Sequence, residues 1–261
     1  MLNPSIARWN GVDALAEGYL PISPFVYVAN NPLKFIDPNG EYILLHLNRD
    51  ERDADPIYGY YFEGKIYRYD GTHDFENAEE IDISDNSFLQ DVVAAFDYLV
   101  ENGGEEAGDL ISEFSTSLEK NAYLLEGEGL TDFAASGNYI NWHSTSGLLV
   151  ENENGEIIGA QTPALGLLHE LGHVNIRFQE RANGGAIYPN KQEEEQAIIN
   201  NYETPFANGV DQETARSRHN GGIAYPTTGP TTTDPNIQRA GEIHPESTRE
   251  KALQFMRQIR N

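Results

Sequence analysis

The chain has no cysteine, and its basic side chains are few: 17 Lys and Arg stand against 42 Asp and Glu, a formal net charge of -25. Without cysteine there are no disulfides and no thiolate metal ligands, so any metal must be held by His, Asp or Glu. The shortage of positive charge argues against nucleic-acid binding, because so acidic a surface repels phosphate backbones. No apolar run approaches the roughly 20 residues that a membrane-spanning helix needs. The first residues, MLNPSIARWN, carry no signal-peptide pattern. The expectation is a protein that stays inside, or leaves by a route that reads no such signal. What is present is ordinary: 261 residues, 39% hydrophobic and 10% aromatic, enough for one large or two small domains with a sizeable core.

Residues 1–40 are rich in Pro, Asn and aromatics, which favours short strands and turns. Beyond them, EYILLHLN reads as a strand, and YGYYFEGKIYRYDG reads as a hairpin turning at Glu63-Gly64. Residues 71–86 are acidic and read as loop. Phe88, Val92, Phe96 and Leu99 recur at helical spacing and predict a helix over Ser87–Asn102, stopped by Gly103-Gly104. A second helix is expected over Asp109–Lys120. NYINWHS is a strand, and LLVENENGEIIG is a hairpin with Asn154-Gly155 as a type I′ turn. Further helices are expected over Gln192–Tyr202 and Ser247–Ile259, with residues 220–237 as an extended loop. The fold class is α+β.

One stretch carries chemistry: TPALGLLHELGHVNIRFQE, Thr162 to Glu180. Thr162 suits the cap position of a helix and Pro163 its first turn. Leu167, Leu171, Val174 and Phe178 form an apolar stripe, while His169, Gly172, His173 and Ile176 lie on another face. Gly172 would let a neighbouring segment come close. His169 and His173 at i and i+4 can share one zinc ion, with Glu170 beside its open position as general base. H-E-x-x-H also arises by chance, as a helix with two surface histidines; the capped, two-faced helix favours the metal site.

A catalytic zinc needs a third protein ligand. Ile176 and Gln179 stand where a metzincin has Gly and His, which excludes that class. The gluzincin solution takes a carboxylate from a following helix, and EEEQAIINNY begins at Glu193. Glu194 shares a face with Ala197, Ile198 and Asn201 and is the favoured ligand. Glu195 shares a face with Ile198, Ile199 and Tyr202 and comes next. Glu193 is least favoured by packing, although its spacing from His173 suits a gluzincin. His219, Tyr225 and His244 are candidates to steady an oxyanion, with His219 and Tyr225 preferred. His143, beside Trp142, is placed to approach the site from the preceding strand.

Two resemblances add context. LNPSIARW, DALAEGY and SPFVYVANNPLKFIDPNG resemble the end of the repeat-associated core of Rhs/YD-repeat polymorphic toxins, with Asn3 and Ala14 departing from the usual Asp and Pro. In that family a variable toxin domain follows the DPNG-like motif. The resemblance therefore implies that residues 1–40 are a core remnant and 41–261 a toxin domain. Asp55-Pro56 fits the family's self-cleavage motif poorly, and no cleavage is expected there. The region from Asn138 to His219 resembles the NleD-like HExxH effector peptidases, through NYINW, TPALGLLHELGHV, the E-x-x-A of Glu194 to Ala197, and ARSRHN. It departs where family members often show Glu-Asn and this chain has Asn201-Tyr202.

Together these imply a zincin-like domain with an active-site helix, a small antiparallel sheet and a ligand-bearing helix. The expected activity is a zinc endopeptidase holding one Zn2+ per chain. It would be delivered into a target cell by a specialised secretion system, with a protein substrate there. An Rhs shell or secretion apparatus and a cognate immunity protein are its implied partners. The competing readings are a non-catalytic tip of an Rhs protein and a nuclease toxin, the latter disfavoured by charge.

Overall fold

The computed structural model describes residues 2–3, 8–9, 43–47, 57–69, 77–116, 122–127, 131–134, 138–219 and 222–236. The expected Ser247–Ile259 helix, Asp55-Pro56 and His244 lie outside them, as does most of the core-like leader. Within that leader, β1 (Leu2–Asn3) pairs antiparallel with β2 (Arg8–Trp9).

The described residues are a mixture of sheets and helices, as an α+β chain requires. The larger sheet contains β3 (Ile43–His46), β4 (Tyr58–Phe62), β5 (Lys65–Tyr69), β6 (Ala122–Glu126), β7 (Asp132–Ala134) and β8 (Tyr139–Trp142). Its order is β5-β4-β3-β6-β8-β7. β4 and β5 form the expected hairpin. Glu63 (φ 47°) and Gly64 (φ 79°) both take positive φ, the geometry of a type I′ turn. The sheet is not purely antiparallel: β3 runs parallel to β6, and β6 parallel to β8. Parallel neighbours need a crossover, and the first carries α1 (Ser87–Asn102) and α2 (Gly104–Thr116). α1 has the predicted bounds, its N-terminus capped by Asn86, whose side chain accepts from Leu89 N. α2 starts earlier than expected because Gly104 (φ 60°) turns the chain straight out of α1.

A smaller antiparallel sheet has the order β10-β9-β11, built from β9 (Ser146–Glu151), β10 (Ile157–Gln161) and β11 (Gly222–Pro226). β11 overturns the expected loop at 220–237. GIAYP becomes a strand by pairing along β9, from Gly222 opposite Val150 to Pro226 opposite Ser146. The Asn154-Gly155 turn also differs from expectation. Only Gly155 is left-handed, and the longer connection closes through Asn152 N donating to Glu156 O at 2.9 Å.

The helix α3 (Pro163–Asn183) runs from the end of β10 through the core. Leu165, Leu167, Leu168, Leu171 and Val174 are buried with Phe88, Phe96, Phe114 and Trp142 from α1, α2 and β8. Each such side chain withdrawn from water contributes roughly 1.5–3 kcal/mol, which fixes α3 firmly. Its first turn is held from several sides. Thr162 Oγ1 accepts from Leu165 N, Trp142 Nε1 donates to Pro163 O at 3.0 Å, and Ala164 N donates to Pro230 O. Glu213, buried, accepts from Thr162 N (3.0 Å) and Thr162 Oγ1 (2.6 Å). A carboxylate there also suits the positive end of the helix dipole. Gly184 (φ 73°) ends the helix.

α4 (Lys191–Ile198) follows, capped by Asn190. It passes into a π-helical turn, Ile199–Glu203, and then α5 (Thr204–Gly209). Among the described residues no helix is long and apolar enough to cross a membrane.

Candidate metal centre

The two imidazoles of α3 face α4, and Gly172 sets how closely the helices approach. A Cβ at Gly172 would lie 2.9 Å from Tyr202 Cδ2 and 3.0 Å from Ile198 Cγ2, so only glycine admits this contact. The expected close approach is therefore present, and its partner is α4. The contact line runs from Ile198 at the end of α4 to Tyr202 in the turn beyond it. Ile198 is common to the faces of Glu194 and Glu195, and Tyr202 puts the line on the side of Glu195.

This decides where the carboxylates go. Glu195 Oε2 lies 3.1 Å from His169 Nε2 and 3.3 Å from His173 Nε2. Glu194 Oε1 is instead 2.8 Å from His173 Nδ1, on the opposite edge of that ring, and its other oxygen is 3.5 Å from Arg177. The sequence favours Glu194 as the third ligand, with Glu195 next; in the structure Glu195 is the carboxylate beside both Nε2 atoms. Glu193 is exposed, and its backbone N–H is bound to the Asn190 side chain.

His219 joins the same point. Its Nδ1 is 2.9 Å from Glu195 Oε2, and its ring stacks against His169 with centroids 5.8 Å apart. Tyr225 does not join. Its hydroxyl donates to Thr233 O at 2.7 Å, and its ring is buried with Leu149 and Ala160. β11 carries it into the small sheet's own apolar cluster, so no oxyanion role is retained for it. His143 Nε2 lies 3.5 Å from Thr145 Oγ1.

Two residues that sequence reasoning missed complete the surroundings. Glu203 Oε1 is hydrogen-bonded to His169 Nδ1 and to Arg216 Nη2, and Arg216 Nε donates to Glu203 Oε2 at 2.7 Å. Glu203 and Arg216 are both buried, as are His169, His173, Glu194 and Glu195. The π turn is what brings Glu203 into place. Eight residues of α-helix would leave it about 80° round from Glu195, whereas absorbing one residue in a wider turn makes the spacing equivalent to seven and the offset about 20°. The available signal was a carboxylate in the otherwise uncharged INNYETPF, with arginines following in ARSRHN.

The electrostatics follow from burial and pairing. For His169, burial alone would lower the pKa, but the hydrogen bonds to Glu195 and Glu203 outweigh it and lift it to about 9. Glu203 shows the converse: burial would raise it, while His169 and Arg216 hold it down to about 2. Glu195 is held far below the usual carboxylate range by its three imidazole neighbours, against the effect of burial. Glu170 is raised, chiefly by desolvation, with the two histidines opposing and Glu195 reinforcing.

Two overlapping donor sets could hold a metal ion: His169, Glu170 and His173, and His169, Glu195 and His219, the ligand atoms in each lying within 4.8 Å of one another. Glu195 Oε2 has two lone pairs but faces three imidazole nitrogens at 2.9, 3.1 and 3.3 Å. A cation shared among these groups would suit the same convergence of nitrogens on one oxygen. Compared with protein-family models, curated proteins and solved structures, the chain matches none.

Proposed function

We propose that this chain is a zinc-dependent peptidase of zincin-like design, with His169, His173 and Glu195 as metal ligands and Glu170 as general base. The observation that carries the reading is the convergence of the HExxH imidazoles and a buried carboxylate from the next helix on one point. A tetrahedral ion with bonds of about 2.0–2.1 Å spaces its ligand atoms about 3.3 Å apart. The 3.1 and 3.3 Å between the imidazole nitrogens and Glu195 Oε2 fit that spacing. The surroundings fit too. Glu203 on His169 Nδ1 and Glu194 on His173 Nδ1 each accept from the outer ring nitrogen. That leaves both Nε2 atoms as donors to a metal.

Bound zinc would supply Lewis acidity and bring a water's pKa towards about 7. The rest belongs to the chain. Glu170, one residue along α3 from His169, takes the proton of the attacking water and returns it to the leaving amine. Burial raises its pKa, in the direction that favours taking up a proton. Arg216 compensates Glu203, so the carboxylate stays ionised and keeps the His169 ring oriented.

The biological setting rests on the resemblance of residues 1–40 to an Rhs core end. In this reading residues 41–261 act as a delivered toxin, cutting a protein in the recipient cell and restrained in the producer by an immunity protein. The test is direct. The purified chain binds about one zinc, His169→Ala loses it, and Glu170→Gln keeps the zinc while losing peptidase activity and toxicity. A wild-type chain without affinity for zinc, or a fully toxic Glu170→Gln variant, rejects the enzyme in favour of a non-catalytic tip.

A further inference from the structure

We propose that His219 is a fourth, displaceable metal ligand, so that the resting centre is closed by protein on all sides. This rests on the zinc reading above and adds the regulation of that site. A catalytic zinc ordinarily keeps one position for water or substrate, whereas four protein ligands mark a closed site. Here the third imidazole does not stand back at the distance of a substrate-binding group. Its Nδ1 is 2.9 Å from Glu195 Oε2, nearer than either imidazole of the HExxH pair at 3.1 and 3.3 Å. Its ring lies nearly parallel to His169, with an interplanar angle of 27°. His169, Glu195 and His219 form a ligand group in their own right.

The attachment of His219 differs from that of the other ligands. His169, His173 and Glu195 are buried side chains on packed helices. His219 leaves the end of a turn, and its side chain is 46% exposed. Its backbone is pinned, because Arg216 Nη1 donates to His219 O at 3.1 Å while the same guanidinium grips Glu203. The Cα is thus fixed relative to the centre while the imidazole has solvent to rotate into. Rotation about the Cα–Cβ bond opens the fourth position without moving α3 or α4. The released imidazole remains close enough to donate a hydrogen bond to a substrate oxygen, the role expected for it from sequence.

Metal binding without substrate tests this. Zinc affinity is measured by competition with a chromophoric chelator, and cobalt(II) replaces zinc for visible spectroscopy, in the wild type and in His219→Ala. The expected result is an affinity loss of about 10–100-fold or more, the range known for losing even an outer partner of a ligand. The cobalt bands change as well, and free imidazole restores them. Unchanged affinity and spectrum in His219→Ala overturn the fourth ligand and leave the three-ligand peptidase intact. Wild-type protein that takes up neither metal overturns both. An affinity loss with unaltered cobalt bands and no imidazole rescue also overturns it, since it assigns His219 a packing role. Because the side chain is 46% exposed, metal-free His219→Ala is expected to unfold in chelator at the temperature of metal-free wild type, which circular dichroism checks.

Discussion

Glu203→Gln tests the buried network behind His169 most sharply. The substitution keeps the shape and removes the charge that His169 and Arg216 share. Arg216 stays buried without a counter-charge, and breaking such a pair from one side destabilises by about 3–5 kcal/mol. The titration gives a consistent size: moving a carboxylate from 4.5 to about 2 corresponds to about 3 kcal/mol at 1.36 per unit. For a chain of this length that lowers the melting temperature by roughly 6–20 °C. Zinc affinity falls a further ~10–100-fold, because His169 loses the partner that orients it. The assays are thermal unfolding by circular dichroism in chelator and chelator competition for zinc. The pH dependence has a definite sign. The folded pKa of Glu203 is depressed, so its contribution is full above the unfolded value and is lost as pH falls towards about 2. Wild type and Glu203→Gln should therefore converge in acid. A variant that melts with the wild type at pH 7 and binds zinc equally well refutes the reasoning.

Other outcomes follow from the same geometry. Glu195→Gln should lose zinc almost entirely, while Glu194→Gln should weaken it by only ~10–100-fold; equal losses in chelator competition would reject the assignment of Glu195. Metal-free His169 holds its proton to about 9, so zinc must displace a proton. Apparent zinc affinity should therefore climb between pH 6.5 and about 9, and calorimetry in buffers of different ionisation enthalpy should detect proton release. His169 has a raised pKa, so it stabilises the metal-free fold below its unfolded value, and that contribution is lost as pH rises through about 9. Gly172→Ala gains about 1 kcal/mol of helix propensity. It also drives a methyl against Tyr202 at 2.9 Å, an overpacking that costs about 1–3 kcal/mol. A net loss of stability by chemical denaturation is expected, with weaker zinc binding as α4 is pushed off α3.

The parts of the fold that could be read from sequence are those encoded locally. α1 has its predicted bounds because an asparagine cap, a helical stripe and a double glycine all lie within it or beside it. α3 was legible from Thr162-Pro163 and its stripe, and the first hairpin from Glu63-Gly64. β11 was not, because Gly222–Pro226 has the composition of a loop and becomes a strand only against β9. The parallel pairing of β3 with β6 was hidden for the same reason. At the site, the imidazoles follow from helical periodicity alone. The choice between Glu194 and Glu195 needed the line along which α4 meets Gly172. Both are buried, so burial could not separate them.

The π turn between Ile199 and Glu203 bears on how such a centre would be recognised elsewhere. It acts as a one-letter frameshift in the spacing between Glu195 and Glu203. A chain that kept α4 regular would reach the same geometry with its second carboxylate seven positions after the first, not eight. A search template that demands a fixed interval would split one kind of centre into two. Deleting a single residue from Ile199–Tyr202 should straighten the helix and still present a carboxylate to His169, whereas deleting two should turn it away.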